Sequence, residues 1–345
     1  MTAPILVWGA GAIGGCLGAG LIRAGHDVLF VDNVPEHVDA INARGLKIVG
    51  PLLEALVPAK SVLPEHLEGS FDRIFLCVKA LHTEAAATAL APHLACTGYV
   101  VSAQNGLNEL VIADIVGRSR TLGCFVNFGA DYLEPGVVQY SGRGAVVVGE
   151  LDGHRSERLL ALHALLRDFE PNAVLTDNIW GYLWGKLIYG AQLFATALTN
   201  DGIADCYANP QFRPVLTALG QEVGAVAKAN GITTEAFNGF DPAAFAPGAP
   251  QSLIDASLDN LVAFNRRSAK SHSGIWRDIS VRKRRTEVEP QLGPIVSTGQ
   301  RLGVPTPLTS RLIEMIVEME SGARQFSANN LRELEQTGPA KVEPR

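Results

Sequence analysis

The stretch ILVWGAGAIGG, Ile5 to Gly15, runs from an apolar segment straight into glycines at 9, 11 and 14. Placed between an expected strand, Pro4 to Trp8, and an expected helix, Ala12 to Ala24, this GxGxxG spacing is the fingerprint of a dinucleotide-binding turn. Gly9 permits the tight turn, Gly11 lets a pyrophosphate approach the backbone, and Gly14 lets helix and strand pack closely. The intervening backbone of Ala10, Ala12 and Ile13 belongs to the same cofactor-binding turn, with the helix N-terminus facing the phosphates. A glycine-rich turn without ligand is the competing reading, and the strand before and helix after the glycines argue against it. The next expected strand, Asp27 to Val31, leads into Asp32, eighteen residues after Gly14. An acidic side chain there can hydrogen-bond both hydroxyls of the adenosine ribose and repels a 2'-phosphate. No arginine follows it, so the expected cofactor is NAD(P)H with NADH favoured.

Outward from this turn, short apolar runs alternate with amphipathic segments, the pattern of a parallel sheet wrapped by helices. Further strands are expected at Arg73 to Val78, Tyr99 to Ser102, Thr121 to Val126, Gly136 to Ser141 and Ala145 to Gly149. A helix from about Arg155 to Asp168 and a strand near Ala173 to Leu175 follow. After Asn178 the periodicity is helical throughout: Ile179 to Thr199, Phe212 to Asn230, Gln251 to Arg267, Gly274 to Glu287, Pro294 to Leu302 and Thr306 to Ser321. The expected fold is α/β, an N-terminal Rossmann-type doubly wound sheet over residues 1–177 and an all-helical substrate and catalytic domain over 178–328. A disordered tail is expected at 329–345. The Pro/Gly/Ala-rich run Phe237 to Pro250 reads as a long loop, either a lid or plain surface.

A chain of 345 residues with 47% hydrophobic and 19% charged residues has the composition of a soluble globular protein of two domains. Its formal charge of −6 and pI near 5.8 argue against a nucleic-acid partner, which would leave a basic footprint. The five cysteines, at 16, 77, 96, 124 and 206, form no CxxC or Cys/His cluster; no metal site is expected, and they read as core thiols in a reducing compartment. The N-terminus lacks the basic region of a secretory signal, and no window offers about 18 uncharged apolar residues for a membrane helix. A cytoplasmic location without membrane partners is the expectation.

Three further segments carry chemistry: CVKA with Lys79, QNG with Asn105, and WGKL with Lys186, followed by RKRRTEVE with Glu287. Together with the glycine turn they resemble the ketopantoate reductase family (2-dehydropantoate 2-reductases), from Ile5 to about Glu320. The resemblance implies an oxidoreductase of pantothenate biosynthesis, a 2-oxo acid as substrate and a homodimer. It also implies residue roles. Lys79 resembles the family's cofactor-contacting lysine, Asn105 its cofactor and substrate asparagine, and Ala130 in NFGAD a backbone contact to the nicotinamide. Lys186 resembles the proton donor, and Glu287 the carboxylate that closes over the cofactor from the helical domain.

The residues themselves allow this chemistry. Hydride addition to a ketone leaves developing negative charge on oxygen, and a nearby ammonium can stabilise that charge and deliver the proton. Apolar surroundings such as Trp184, Leu187 and Ile188 make a lysine's proton easier to give up. The plainer readings are a lysine snorkelling from a core helix for Lys186 and an ordinary strand-end lysine for Lys79. For Asn105 the plainer reading is a turn asparagine before Gly106, and for Glu287 an exposed partner of the nearby arginines.

The sequence departs from the family where substrate would be held. Four and eight residues after Lys186, on the same helix face, the positions resembling the family's pair of substrate asparagines are Gly190 and Phe194. In KSHSGIWRDISVRKRRTEVE, Lys270 to Glu289, the family's serine-rich turn is reduced to Ser273, preceded by His272. These two are candidates for binding the substrate carboxylate or a distal polar group; His272 reads equally as a loop histidine. The run Arg282 to Arg285 reads as a solvated helix face or ion-pair partners, or as a substrate-carboxylate or subunit contact. The expected function is nicotinamide-dependent reduction of a small, 2-dehydropantoate-like 2-oxo acid with Lys186 as proton donor. The alternatives are an opine-type or other 2-hydroxy-acid dehydrogenase, or a non-catalytic NAD-binding sensor; a sensor would need only the glycine turn and Asp32.

Overall fold

The computed structural model describes residues 3–267 and 271–338. The chain divides into two compact units, Met1–Ile179 and Trp180–Arg345. The first unit contains β1 (Ile5–Trp8), α1 (Ala12–Arg23), β2 (Val28–Val31), α2 (Pro35–Arg44), β3 (Leu46–Val49), β4 (Ala55–Val57) and β5 (Lys60–Val62). It continues with β6 (Phe71–Leu76), α3 (Thr83–Leu90), β7 (Leu94–Ser102), α4 (Asn108–Val116), β8 (Thr121–Val126), β9 (Gly129–Glu134), β10 (Val137–Gly142), β11 (Val146–Glu150), α5 (Glu157–Phe169) and β12 (Val174–Leu175).

Eight of these strands form one sheet in the order β12-β11-β8-β7-β6-β1-β2-β5. From β5 to β8 every pairing is parallel; β11 runs antiparallel to β8. The chain leaves β1 toward β2 on one side and returns to β6 on the other, so the strand order reverses at β1, the doubly wound arrangement whose switch point forms a ligand crevice. Register decides what lies there. Val31, Trp8, Leu76, Ser102 and Gly123 stand side by side across the sheet, so the residues that follow them emerge at one edge. The β1, β2, β6 and β7 segments ILVW, VLFV, FDRIFL and LACTGYVVS are rich in branched and aromatic residues. Leu6, Val7, Phe30, Val31, Phe75, Val100 and Val101 are fully buried, as strands covered on both faces require.

The second sheet, β4-β3-β10-β9, was not expected from sequence beyond β10. It lies over α1, where a Cβ added to Gly15 would come within 3.2 Å of Val138. Its strands are three to six residues long, too short for period-two alternation to stand out. The β9–β10 turn passes through Gly136, whose φ of 78° lies in the region that favours glycine.

In the second unit the described residues form α6 (Ile179–Thr196), α7 (Ile203–Ala208), α8 (Arg213–Ala229), α9 (Gln251–Arg267), α10 (Gly274–Ser280), α11 (Val288–Leu302), α12 (Pro307–Glu320) and α13 (Ala328–Thr337). The fold is therefore a Rossmann-like α/β domain followed by a helical region. Several expectations need correction. The helix expected from Gly274 to Glu287 stops at Ser280. There Arg282 and Arg284 turn back onto the buried Asp278 carboxylate at 3.1 and 3.0 Å, and Lys283 takes a left-handed φ of 50°. The arginine run is thus a folded ion-paired turn, with Arg285 bonded to Glu289, rather than a helix face.

The tail expected from 329 onward is helix α13 as far as Thr337; residues 339–345 lie outside the described residues. Leu331 and Leu334 are fully buried, and Asn330 donates to the Leu198 carbonyl at 2.9 Å. Arg324 and Arg311 grip Glu333, whose carboxyl they hold down at about 2. The loop expected at Phe237 to Pro250 is pinned by its aromatics: Phe237, Phe240 and Phe245 are buried, with Phe240 stacked on Phe245 and tilted against Phe237. Of the cysteines, 16, 124 and 206 are buried, Cys77 is half-buried and Cys96 is exposed on β7, so the core reading fails for Cys96. Among the described residues no helix is long and apolar enough to cross a membrane.

Candidate active site

The glycine turn sits at the sheet edge where β1 ends. Gly9 has φ 99°, and a Cβ there would press on Cys77 and Val78 at 3.0–3.1 Å. A Cβ at Gly14 would collide with the Gly9 carbonyl oxygen and stand 2.9 Å from Val7 and 3.0 Å from Cys77. Gly11 differs from both: its φ is −67°, and an added Cβ meets no atom within 4 Å. Gly11 is also the N-cap of α1, with no side chain capping the helix and no acidic residue in its first turn. That leaves backbone N–H groups and the positive helix end directed at open space, which is what an anion needs.

Asp32 follows β2 as expected, and its carboxylate already works on the turn. Oδ2 accepts from the Ala10 N–H at 2.8 Å and Oδ1 from the Val34 N–H at 3.1 Å. The Ala10 carbonyl is held from the other side by His37 of α2, at 2.9 Å from Nε2. Because the Gly136 N–H donates to His37 Nδ1 at 2.8 Å, the imidazole proton is on Nε2. His37 is 1% exposed and was missed in the sequence, where a single histidine on an amphipathic helix carries no signal. Tyr132 packs edge-on against it at 5.1 Å; its hydroxyl is held above the ordinary range by burial and then by Asp32, Glu36 and Glu134.

Lys79 and Asn105 lie in the loops after β6 and β7, beside the glycine turn; Lys79 is half-buried and Asn105 exposed. Beneath them runs a buried set of hydrogen bonds not foreseen from sequence. The Gln104 amide donates to the Val78 carbonyl and to Thr83 Oγ1, both at 2.8 Å. Thr83 donates to Asn108 Oδ1 at 2.8 Å, and Asn108 Nδ2 donates to the Asn105 carbonyl at 2.6 Å. The signal available was QNGLNE, four polar side chains where an apolar strand passes into a helix.

Next to Asn108, Glu109 is fully buried with neither carboxyl oxygen hydrogen-bonded, and burial pushes its carboxyl up to about 8, only partly opposed by its own backbone N–H. The folded protein then keeps a proton that the unfolded chain releases from its ordinary value of 4.5 upward. This makes stability fall as pH rises from about 4.5 to about 8 and level off above, by an amount on the order of a few kcal/mol. Glu109→Gln is expected to flatten that limb, so that the variant gains thermal stability over the parent steadily from pH 5 to 8. Melting curves that stay parallel across that range would remove this account.

In the helical unit, Lys186 lies on α6, half-buried, with Trp184, Leu187 and Ile188 each 1–2% exposed around it. One turn further, Gly190 is half-buried and a Cβ there meets nothing within 4 Å; Phe194, two turns on, is buried at 1%. Glu287 is the N-cap residue of α11 rather than part of α10, and the preceding Thr286 is tied to Glu320 by its N–H and hydroxyl at 2.8 and 2.6 Å. His272 has structural partners: Ser271 Oγ at 2.9 Å, the Asn200 carbonyl at 3.0 Å and the Trp276 ring at 4.1 Å. Ser273 caps α10, its hydroxyl accepting from the Trp276 N–H at 3.1 Å. Ala130 lies on β9, paired with Tyr140 in the second sheet. The first unit thus gathers Gly9, Gly11, Gly14, Asp32, Lys79 and Asn105 at one sheet edge, while Lys186, His272, Ser273 and Glu287 belong to the helical unit.

A doubly wound sheet with this turn at its switch point defines a dinucleotide-binding protein. Comparison with known proteins is more specific. The family described as Ketopantoate reductase PanE/ApbA matches residues 5–153, and Ketopantoate reductase PanE/ApbA C terminal matches residues 178–320. The 2-dehydropantoate 2-reductase of Archaeoglobus fulgidus is 30% identical over 320 residues, covering 92% of this chain and 98% of that protein. The Pyrococcus horikoshii enzyme of the same name is 28% identical over 92% of this chain and 97% of its own. Among solved structures, a PanE/ApbA family ketopantoate reductase from Ralstonia eutropha JMP134 superposes with a TM-score of 0.78 at 26% identity, covering 93% of this chain and 99% of that one. A D-mandelate dehydrogenase solved with NADH and anilino(oxo)acetate superposes with a TM-score of 0.81 at 22% identity, again over 93% and 99%. The chain belongs to the ketopantoate reductase family, as a divergent member, and is an oxidoreductase of that type acting on 2-oxo acids with a nicotinamide cofactor.

Proposed function

We propose that this protein reduces a small 2-oxo acid to the 2-hydroxy acid with NADH, Lys186 donating the proton. The observation that carries the cofactor reading is Gly11: the backbone demands glycine at 9 and 14, but at 11 a side chain would meet only open space at the N-terminus of α1. Bound NADH supplies the hydride for the carbonyl carbon. The chain's residues do the rest. Backbone N–H groups at Gly11 to Ile13 hold the pyrophosphate, Asp32 holds the ribose hydroxyls, and Lys79, Asn105, Glu287 and the Ala130 backbone contact the nicotinamide half. Lys186 stabilises the charge growing on the substrate oxygen and passes its proton to it, so that one proton is consumed per turnover.

Two features give this reading its particulars. The Asp32 carboxylate, just after β2 and bonded to the Ala10 N–H of the glycine turn, opposes a 2'-phosphate, which favours NADH over NADPH. Beside Lys186, Gly190 offers space where the family pattern has an amide, and Phe194 offers none of an amide's polar contacts. A substrate with an apolar side chain fits this better than one bearing a hydroxyl, because discrimination for a hydroxyl depends on groups built to bond it.

The test is steady-state turnover with NADH and NADPH against pyruvate, 2-oxoisovalerate, phenylglyoxylate and ketopantoate. NADH is expected to exceed NADPH by about tenfold or more in kcat/KM, since a carboxylate facing a phosphate costs at least ~1.4 kcal/mol, with Asp32→Ala narrowing the ratio. An apolar 2-oxo acid is expected to outrun ketopantoate, and Gly190→Asn to shift preference back toward it. A marked NADPH preference sinks the Asp32 assignment, and no turnover of any 2-oxo acid sinks the whole proposal.

A further inference from the structure

We propose that Thr83, Gln104 and Asn108 are positioning residues, a buried clamp that fixes the spacing of Lys79 and Asn105 against the nicotinamide half of the cofactor; this rests on the function proposed above. The β6–β7 ladder ends at the Leu76–Ser102 pair, with one further bond from the Ala103 N–H to the Leu76 carbonyl at 3.0 Å. Past that point the side chains of Gln104, Thr83 and Asn108 carry hydrogen bonding on from one loop to the other. It begins and ends on backbone carbonyls: that of Val78, one residue before Lys79, and that of Asn105 itself.

Donor and acceptor counting leaves this chain one direction. Both terminal carbonyls can only accept, so Gln104 must present its NH₂ to Val78 and Asn108 must present its NH₂ to Asn105. Gln104 Nε2 spends its second hydrogen on Thr83 Oγ1, whose single hydrogen then goes to Asn108 Oδ1. Turning either amide over would set acceptor against acceptor. The three side chains are 2%, 5% and 4% exposed, so water cannot replace a lost partner. Gln104 Oε1 is buried without a partner, so the set is held through its donors, all four of its bonds running in one arrangement. Buried side chains bonded in one arrangement rigidify what they join. What is joined here is not two core elements but two loop tips whose separation the cofactor must match, and a displacement of about 1 Å in such a site can cost on the order of 10²-fold.

The discriminating experiment is a double-mutant cycle between Thr83→Val and Asn105→Ala, followed by NADH binding through fluorescence titration and by kcat and KM with the best 2-oxo acid. Thr83→Val is expected to lose about 10- to 100-fold in kcat at saturating NADH, Thr83→Ser to recover most of it, and the loss to vanish in the Asn105→Ala background. Gln104→Met, which removes the donor at similar volume, provides the same cycle should Thr83→Val fold poorly. Losses that multiply independently of Asn105 overturn the clamp, as does a variant with a lower Tm but unchanged kcat and NADH affinity. If Asn105→Ala and Lys79→Ala themselves leave NADH binding and turnover untouched, the assignment of these loops to the cofactor is wrong and the clamp falls with it. If they impair it while Thr83→Val does not, the clamp alone is wrong.

Discussion

Lys186→Met is expected to lower kcat by about 10²- to 10⁴-fold, the usual contribution of a positioned general acid, while leaving NADH affinity and Tm close to the parent's. Methionine keeps a straight, flexible apolar stem of similar length at this half-buried helix position, so the substitution removes the ammonium with little change in volume. The loss should appear in kcat more than in KM, because the charge that Lys186 answers exists only as the hydride arrives. The acidic form of the lysine is the active one, so turnover by the parent should fall on the alkaline limb of the pH profile, and this limb should be absent from the residual activity of the variant. An unchanged kcat/KM would remove Lys186 from the chemistry and leave it a half-buried lysine on a core helix. NADH binding with no turnover in the parent would instead favour the sensor alternative, for which the glycine turn and Asp32 suffice.

What could be read from the residues followed the range of the forces involved. The glycine turn was legible because its demands are local: a positive φ at Gly9 and a close approach at Gly14 are set by the few residues around them. The central strands were legible for the same reason, each being a run of branched residues covered on both faces. The end of α10 was not. It depends on Asp278 gathering Arg282 and Arg284, a pairing that four arginines and lysines in a row do not announce. Helix α13 was read as tail because ANNLRELEQT is largely polar; its anchors, Arg311, Arg324 and the Leu198 carbonyl, come from elsewhere in the chain. The same division runs through the candidate site. An acid at the end of β2 could be seen, but its hold on the Ala10 N–H could not, nor the buried His37 gripping the carbonyl of the same residue. Motif residues stand at loop tips and can be picked out one by one. The side chains that brace them are ordinary polar residues whose meaning lies in a partner up to 99 positions away, as for His37 and Gly136.

The sharpest separation of fold from function should come from two substitutions three positions apart. Gly14→Ala is expected to destabilise the protein by about 1–3 kcal/mol or more, since the new methyl collides with the Gly9 carbonyl and crowds Val7 and Cys77, and backbone cannot move aside cheaply. Gly11→Ala should do almost nothing to stability. Its φ of −67° suits any residue and the methyl meets no neighbour within 4 Å. Alanine is a poorer N-cap than glycine by up to about 1 kcal/mol, but restricting the unfolded chain returns ~0.4–1 kcal/mol, so the two terms nearly cancel. Cofactor binding should respond in the opposite sense. If the pyrophosphate rests on the backbone at Gly11, the methyl occupies that contact and weakens NADH by about 1–3 kcal/mol, roughly 5- to 150-fold. Thermal melts and NADH titrations of the two variants read the contrast directly. A Gly11→Ala protein that binds NADH like its parent would mean that no phosphate lies over this residue. In that case the open space in front of α1 would need another explanation, for glycine at 11 is the one glycine of the three that the fold itself does not require.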